Sequence, residues 1–164
     1  AENDVQALSA LPVITSKVEQ GLGLIDTMIG KRDKNGNLLE GEAPHPGFSA
    51  TVGATFTPGL RFVSGTPAAD FMSYFNQITG QAFLEAFETL KGGGQITQIE
   101  GEKATSAINR MSIASSEREF IKAAMEFQDI MRAGLERAQK KAATAQQRMG
   151  GTSIPAGGQF MGFE

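Results

Sequence analysis

Cysteine and tryptophan are absent from this 164-residue chain, and tyrosine and histidine occur once each. Without cysteine there can be no disulfide, no thiolate nucleophile and no cysteine metal site, and the redox compartment stays undetermined. The single histidine, His45, sits between Pro44 and Pro46 and has no second imidazole to share a metal with, so it reads as a loop residue. No apolar run approaches the roughly 20 residues of a membrane-spanning helix. The net charge of −3 gives the whole chain no electrostatic pull on nucleic acid. The first residues, AENDVQ, include neither methionine nor a signal-peptide pattern, which reads as a chain that is processed or only partly represented.

What is present points to a packed core with looser appendages. Hydrophobic residues make up 40% and charged residues 20%, enough apolar content for a core; the 20 glycines belong to less regular segments. Residues 4–29 carry apolar positions at spacings of three and four. Pro12 should break or kink that helix, leaving Ser16 to Ile29 as its firm part. From 30 to 65 the chain changes character. Asn35-Gly36 marks a tight polar turn, and "FSATVGATFTPGLRFVSG" is β-favouring but interrupted by Pro58-Gly59. An irregular arm with short strands or a hairpin is expected here.

Helical signals become clean at Thr66-Pro67, an N-cap followed by proline at the first helical position. A single helix from there to Lys91-Gly92 would place Phe71, Phe75, Ile78 and Ala82 on one face, with Phe83, Phe87 and Leu90 beside it. Thr97 and Glu100 have the spacing of a capping box, and so do Ser116 and Glu119. Behind the second box, Phe120, Ala124, Phe127, Met131, Leu135 and Ala138 alternate steps of four and three, a heptad-like seam. Residues 150–164, "GGTSIPAGGQFMGFE", have no periodicity and end in apolar Phe160, Met161 and Phe163, an expected subunit contact.

Several ligand-like patterns fail on inspection. "LKGGGQITQIEGEKAT" does not space its glycines as a phosphate-binding loop does, and Glu102 intervenes before Lys103. Gly93-Gly94-Gln95 matches the triplet of peptide-release factors in letters only, in a short joint between helices. The better reading is that Gly92, Gly93 and Gly94 turn the chain and Thr97 restarts it. Gly101 then falls inside the new helix, where close approach by a neighbour would explain it. "RDKNGNLLEGEA" lacks the glycine and the closing glutamate of a calcium loop. The carboxylate pairs Glu85 with Glu88, and Glu100 with Glu102, are ordinary on helix surfaces. Arg132, Arg137, Lys140, Lys141 and Arg148 outnumber Glu136 over one stretch. This suits a helix C-terminus, and it also makes the first four of them candidate nucleic-acid contacts.

"HPGFSATVG" (45–53), "GTPAADFMSYFNQITGQAFLEAFETLKGGGQITQIEGEKATSAINRM" (65–111) and "SSEREFIKAAMEFQDIMRAGLERA" (115–138) together resemble a module of tailed-phage and prophage virion-associated proteins. The resemblance covers roughly residues 45–140. It implies an internal, DNA-ejection or tail component and carries over no catalytic residues.

The expected architecture is mainly α: a helical hairpin plus a long third helix forming a small bundle, with an N-terminal helix, an irregular arm and an extended C-terminal tail. The expected divisions are 1–65 for helix and arm, 66–149 for the bundle and 150–164 for the tail. The expected function is that of a non-enzymatic structural protein of the phage particle, located in the virion and assembled in the host cytoplasm. Its partners would be other virion proteins and copies of itself, with no cofactor, no small-molecule substrate and no integral membrane segment. A DNA-contacting ejection protein is the alternative. A cell-wall hydrolase accessory is a third reading, for which the sequence offers no site geometry.

Overall fold

The computed structural model describes residues 2–52 and 62–153, and these are mainly helical. The helices are α1 (Glu2–Ile29), a short α2 (Phe48–Thr51), α3 (Pro67–Ile78), α4 (Gln81–Gly92), α5 (Gln98–Ser112) and α6 (Glu117–Ser153). Their order gives a small bundle built around the long pair α1 and α6.

Helix α1 continues through Pro12, so of the expected break or kink the break does not occur. The ring removes one backbone donor, a penalty of about 3 kcal/mol in a helix interior. Pro12 and Val13 face solvent, so the ring displaces nothing from the core. Burial of Ile14, Val18, Leu22, Ile25, Met28 and Ile29 on the other side holds the helix regardless. Each such side chain contributes roughly 1.5–3 kcal/mol.

Helices α1 and α6 pack antiparallel. Gln128 in α6 donates to the Leu22 carbonyl at 3.3 Å and to Asp26 Oδ1 at 2.8 Å. Earlier in α6, Phe120 meets the rings of Phe48 and Phe71, beside the C-terminal end of α1, where the Met28 carbonyl accepts from His45 N–H at 3.1 Å. Moving forward along α6 therefore moves backward along α1. Gln128 is one of few buried polar side chains, and its two bonds fix the register of the pair. The core is shared between the N-terminal helix and the rest, so packing is continuous across the boundary drawn at residue 66.

The helix expected over 67–91 is instead two. It breaks at Thr79-Gly80, where the Thr79 hydroxyl donates to the Phe75 carbonyl at 3.0 Å and Gly80, at φ −82° and ψ 172°, serves as the N-cap of α4. A side chain here would also crowd the Asn76 carbonyl, 3.1 Å from where a Cβ would sit. The break turns one wide apolar stripe into two narrow ones. Phe71 and Phe75 of α3 meet Phe120, and Phe71 also meets Phe48, whereas Phe83 of α4 meets Gly21 of α1 and Phe127 of α6, and Leu90 lies against Gly134 of α6. Gly21 of α1 is the seat of the Phe83 ring, which leaves no room for a Cβ there.

The polar turn at 33–37 forms as the dipeptide suggests. Gly36, at φ +87°, donates to the Asp33 carbonyl at 2.9 Å, and Asp33 Oδ1 accepts from the backbone of Asn35 and Asn37. Arg32 crosses underneath, donating to the carbonyls of Ile29 and Gly36; burial pushes its guanidinium below the usual arginine value, with Glu117 opposing. Beyond an isolated bridge between Arg32 and Leu38, the described residues contain no strand. The β-favouring run begins instead with helix α2, because Phe48 buries itself against Phe71 with stacked rings 5.4 Å apart. Residues 53–61 of that run lie outside the described residues.

Helix α6 continues past the expected end at 149 and takes in residues 150–153 of the stretch read as tail. Its seam carries on as Ala138, Ala142 and Ala145, all buried. Small residues at these positions let α1 and α6 run close together beyond the level where α3, α4 and α5 end. The result is a two-helix stalk projecting from the bundle.

Candidate functional site

Two local devices shape the surface most able to bind something. The first is the joint between α4 and α5. Helix α4 ends at Gly92, and Gly94 takes a left-handed turn with φ +83°. That turn sends the amides of Gln95 and Ile96 back to the Leu90 carbonyl, at 2.9 and 3.2 Å, closing the helix end. Ile96 then buries itself against Gly134 of α6.

Helix α5 opens with the reciprocal cap expected from sequence. Glu100 N–H donates to Thr97 Oγ1 at 3.1 Å, and Thr97 N–H donates to Glu100 Oε1 at 3.0 Å. Arg137 of α6 adds a two-pronged bond to the Glu100 carboxylate, at 2.7 and 3.1 Å, and donates to the Gln95 carbonyl at 2.8 Å. The Arg137 bonds and the Thr97 amide together hold the Glu100 carboxyl well down, at about 2. Glu100 raises the Arg137 guanidinium in turn. Gly101 lies beneath the aliphatic stem of Lys91, 3.3 Å from where a Cβ would sit. The close neighbour expected there is therefore a flexible side chain rather than a helix backbone.

The second device is a groove. Helix α4 rests mainly on α1, and α5 rests on α6. Between α4 and α5 they leave an apolar cleft of about 140 Å³. Phe83, Leu84 and Phe87 form one wall, Ala104, Thr105 and Ile108 the other, and Phe127 lies at the floor. Leu84 on the rim is 50% exposed. Past Thr105 the cleft opens into a polar stretch bordered by Glu88, Lys91, Gln98 and Glu102. The apolar part contains no titratable side chain, and the Thr79 hydroxyl at its edge is bonded to its own helix. Such a surface can take up apolar side chains; it has no group to act on them.

His45 is more involved than a loop residue. Its side chain is 8% exposed, and Nδ1 accepts from Gly47 N–H at 2.8 Å. The proton therefore sits on Nε2, which donates to Asp70 Oδ2 at 2.7 Å. Phe71 and Tyr74 meet the ring edge-on. Both nitrogens are engaged, so neither is left to take a proton from a nucleophile. The pair joins the 44–47 turn to the first turn of α3. Asp70 is the acidic residue in the first turn of α3, and only folding brings it to His45.

The remaining sequence candidates fall as follows. Arg132 faces Asp129 at 3.7 Å, and Arg137 is committed to Glu100. Lys140 and Lys141 are exposed on the stalk and form no ion pair among the described residues. Glu85 meets Lys17 at 3.5 Å and Glu88 meets Lys91 at 3.6 Å, so these two carboxylates pair with lysines rather than with each other. Ser116 caps α6 by accepting from Glu119 N–H at 3.2 Å. The Glu119 carboxylate reaches one residue further than a capping box requires, to the Ser115 N–H at 3.1 Å. Phe160, Met161 and Phe163 lie outside the described residues. Among the described residues no cluster of three His, Asp or Glu could hold a metal ion, and no helix is long and apolar enough to cross a membrane.

No family model matches this chain, and neither a curated protein nor a solved structure is significantly similar to it.

Proposed function

We propose that the chain is a non-enzymatic structural component of a bacteriophage particle, a tail or internal, ejection-associated protein that works by packing helices against other subunits. The observation that carries this reading is the pairing of an open apolar groove with a two-helix stalk, both suited to subunit contact. The resemblance of residues 45–140 to virion-associated modules supplies the setting. The engaged nitrogens of His45 and the lysine partners of Glu85 and Glu88 speak for structure over catalysis. Partners would be copies of the chain and other virion proteins, in a particle assembled in the host cytoplasm.

The test has two arms. Light scattering on the purified chain should show concentration-dependent assembly, and mass spectrometry of purified particles should find the chain in them. A strictly monomeric chain that is missing from particles overturns the proposal.

DNA contact is the second reading, favoured by Lys140 and Lys141, which stand exposed on the stalk without an ion-pair partner among the described residues. It requires salt-sensitive binding that weakens in K140Q/K141Q. Absence of binding at about 50 mM salt removes it.

A further inference from the structure

We propose that Asn35 is a self-modification site, at which the Gly36 backbone nitrogen closes on the Asn35 side chain and converts the asparagine to aspartate and isoaspartate, at a rate set by Asp33. The reaction needs only this chain and water, and no partner subunit.

Asn35-Gly36 is the one Asn-Gly pair in the chain. Asparagine is among the thermally labile side chains. Glycine has no side chain, so nothing hinders the approach of its nitrogen. Asn37, Asn76 and Asn109 are followed instead by Leu38, Gln77 and Arg110, and the last two asparagines lie inside α3 and α5. Asn35 is exposed in the 33–37 turn, so water reaches the site.

In the first step Gly36 N bonds to Asn35 Cγ and the Cγ–Nδ2 bond breaks. The side-chain nitrogen leaves as ammonia, taking the Gly36 amide proton. Water then opens the cyclic imide. Opening at Cγ leaves aspartate at position 35. Opening at the backbone carbonyl leaves isoaspartate, with the chain running through the former side chain.

Asp33 restrains the first step. Its carbonyl accepts from Gly36 N–H at 2.9 Å, a bond that must break before the nitrogen can attack. Its own N–H donates to the Asn37 carbonyl at 2.8 Å, and its Oδ1 accepts from Asn35 N–H at 2.9 Å and Asn37 N–H at 3.0 Å. One residue thus closes the turn from both its backbone and its side chain. The products undo this closure. Either one adds a second negative charge to the turn beside Asp33. Isoaspartate also lengthens the backbone and shifts the Gly36 carbonyl, which accepts from Arg32 Nη1 at 2.9 Å. Arg32 donates to the Ile29 carbonyl as well, so the change reaches the end of α1.

The full-length chain, aged at mildly alkaline pH, tests this by peptide mass spectrometry with electron-transfer fragmentation, which separates aspartate from isoaspartate. Both products should accumulate at position 35 well before any change at Asn37, Asn76 or Asn109. Asp33→Ala keeps the carbonyl but removes the carboxylate, and should speed the reaction about fivefold to tenfold, the factor lost with hydrogen bonds of ordinary strength. Asp33→Asn retains a side-chain oxygen that can accept from both amides and should stay near the parent. In urea, where the turn is open, all three chains should react at one rate. Asparagines that change at equal rates, aspartate without isoaspartate, or an inert Asn35 in urea would overturn the site. A folded parent that reacts as fast as D33A, or as fast as it does in urea, would overturn the control by Asp33.

Discussion

Arg137 donates from Nη1 to Glu100 Oε1 and from Nη2 to Glu100 Oε2, and the same Nη1 also holds the Gln95 carbonyl. One side chain of α6 thereby ties the end of the α4–α5 joint to the first turn of α5. A residue that sequence offers as a DNA contact is used as a clamp within the fold.

The clamp gives stability a defined acid dependence. Glu100 has a carboxyl near 2 in the folded chain against 4.5 for the ordinary side chain, so the unfolded state binds the proton first. Its stabilising contribution is complete above pH 4.5 and is lost as pH falls from there towards 2. Urea unfolding midpoints across that window should drop less steeply in R137Q than in the parent. Some slope should remain, because the Thr97 amide also favours the charged carboxylate. The pair faces solvent, so the difference should shrink with added salt.

Thr97→Ala should cost about 1 kcal/mol, the ordinary loss for an N-cap hydroxyl. Thr97→Ser should recover most of it, since the serine hydroxyl can accept the same bond from the Glu100 amide. Chemical denaturation of both variants checks this.

Two glycines in helix interiors should respond oppositely to alanine. A Cβ at Gly134 would sit 2.7 Å from Ile96 Cγ1, in the seat of a buried side chain, and overpacking of this kind costs roughly 1–3 kcal/mol. A Cβ at Gly101 would meet only the Lys91 stem, which can move aside. G101A should therefore be neutral or more stable by up to about 1 kcal/mol from helix propensity. Thermal melts that rank G101A below G134A would contradict this.

Phe120 touches the rings of Phe48, Phe71 and Phe75, at centroid distances of 5.4, 5.6 and 6.4 Å. Phe120→Ala should cost about 3–5 kcal/mol, because the surrounding helices cannot close over the cavity. His45→Ala should loosen the 44–47 turn by removing the bonds to Asp70 and to the Gly47 amide. Hydrogen exchange at Gly47 and Phe48 should rise more in this variant than at Val18 in the core.

Local chemistry is what the sequence by itself determined. Thr66, Thr97 and Ser116 start helices because a hydroxyl there meets the amide three residues on, and those partners are fixed by chain geometry alone. Asn35-Gly36 turns for the same reason, and the seam from Phe120 to Ala138 is a periodicity written along one helix. The tertiary structure decided whatever depended on partners remote in sequence. Pro12 stays helical because burial on the far face outweighs its local cost. Phe48 enters a helix because Phe71 and Phe120 wait for it. The cleft exists only because α4 leans on α1 while α5 leans on α6, and no stretch of sequence contains both choices. Charge follows the same division: Arg137 reads as basic surface until Glu100 is placed beside it by folding.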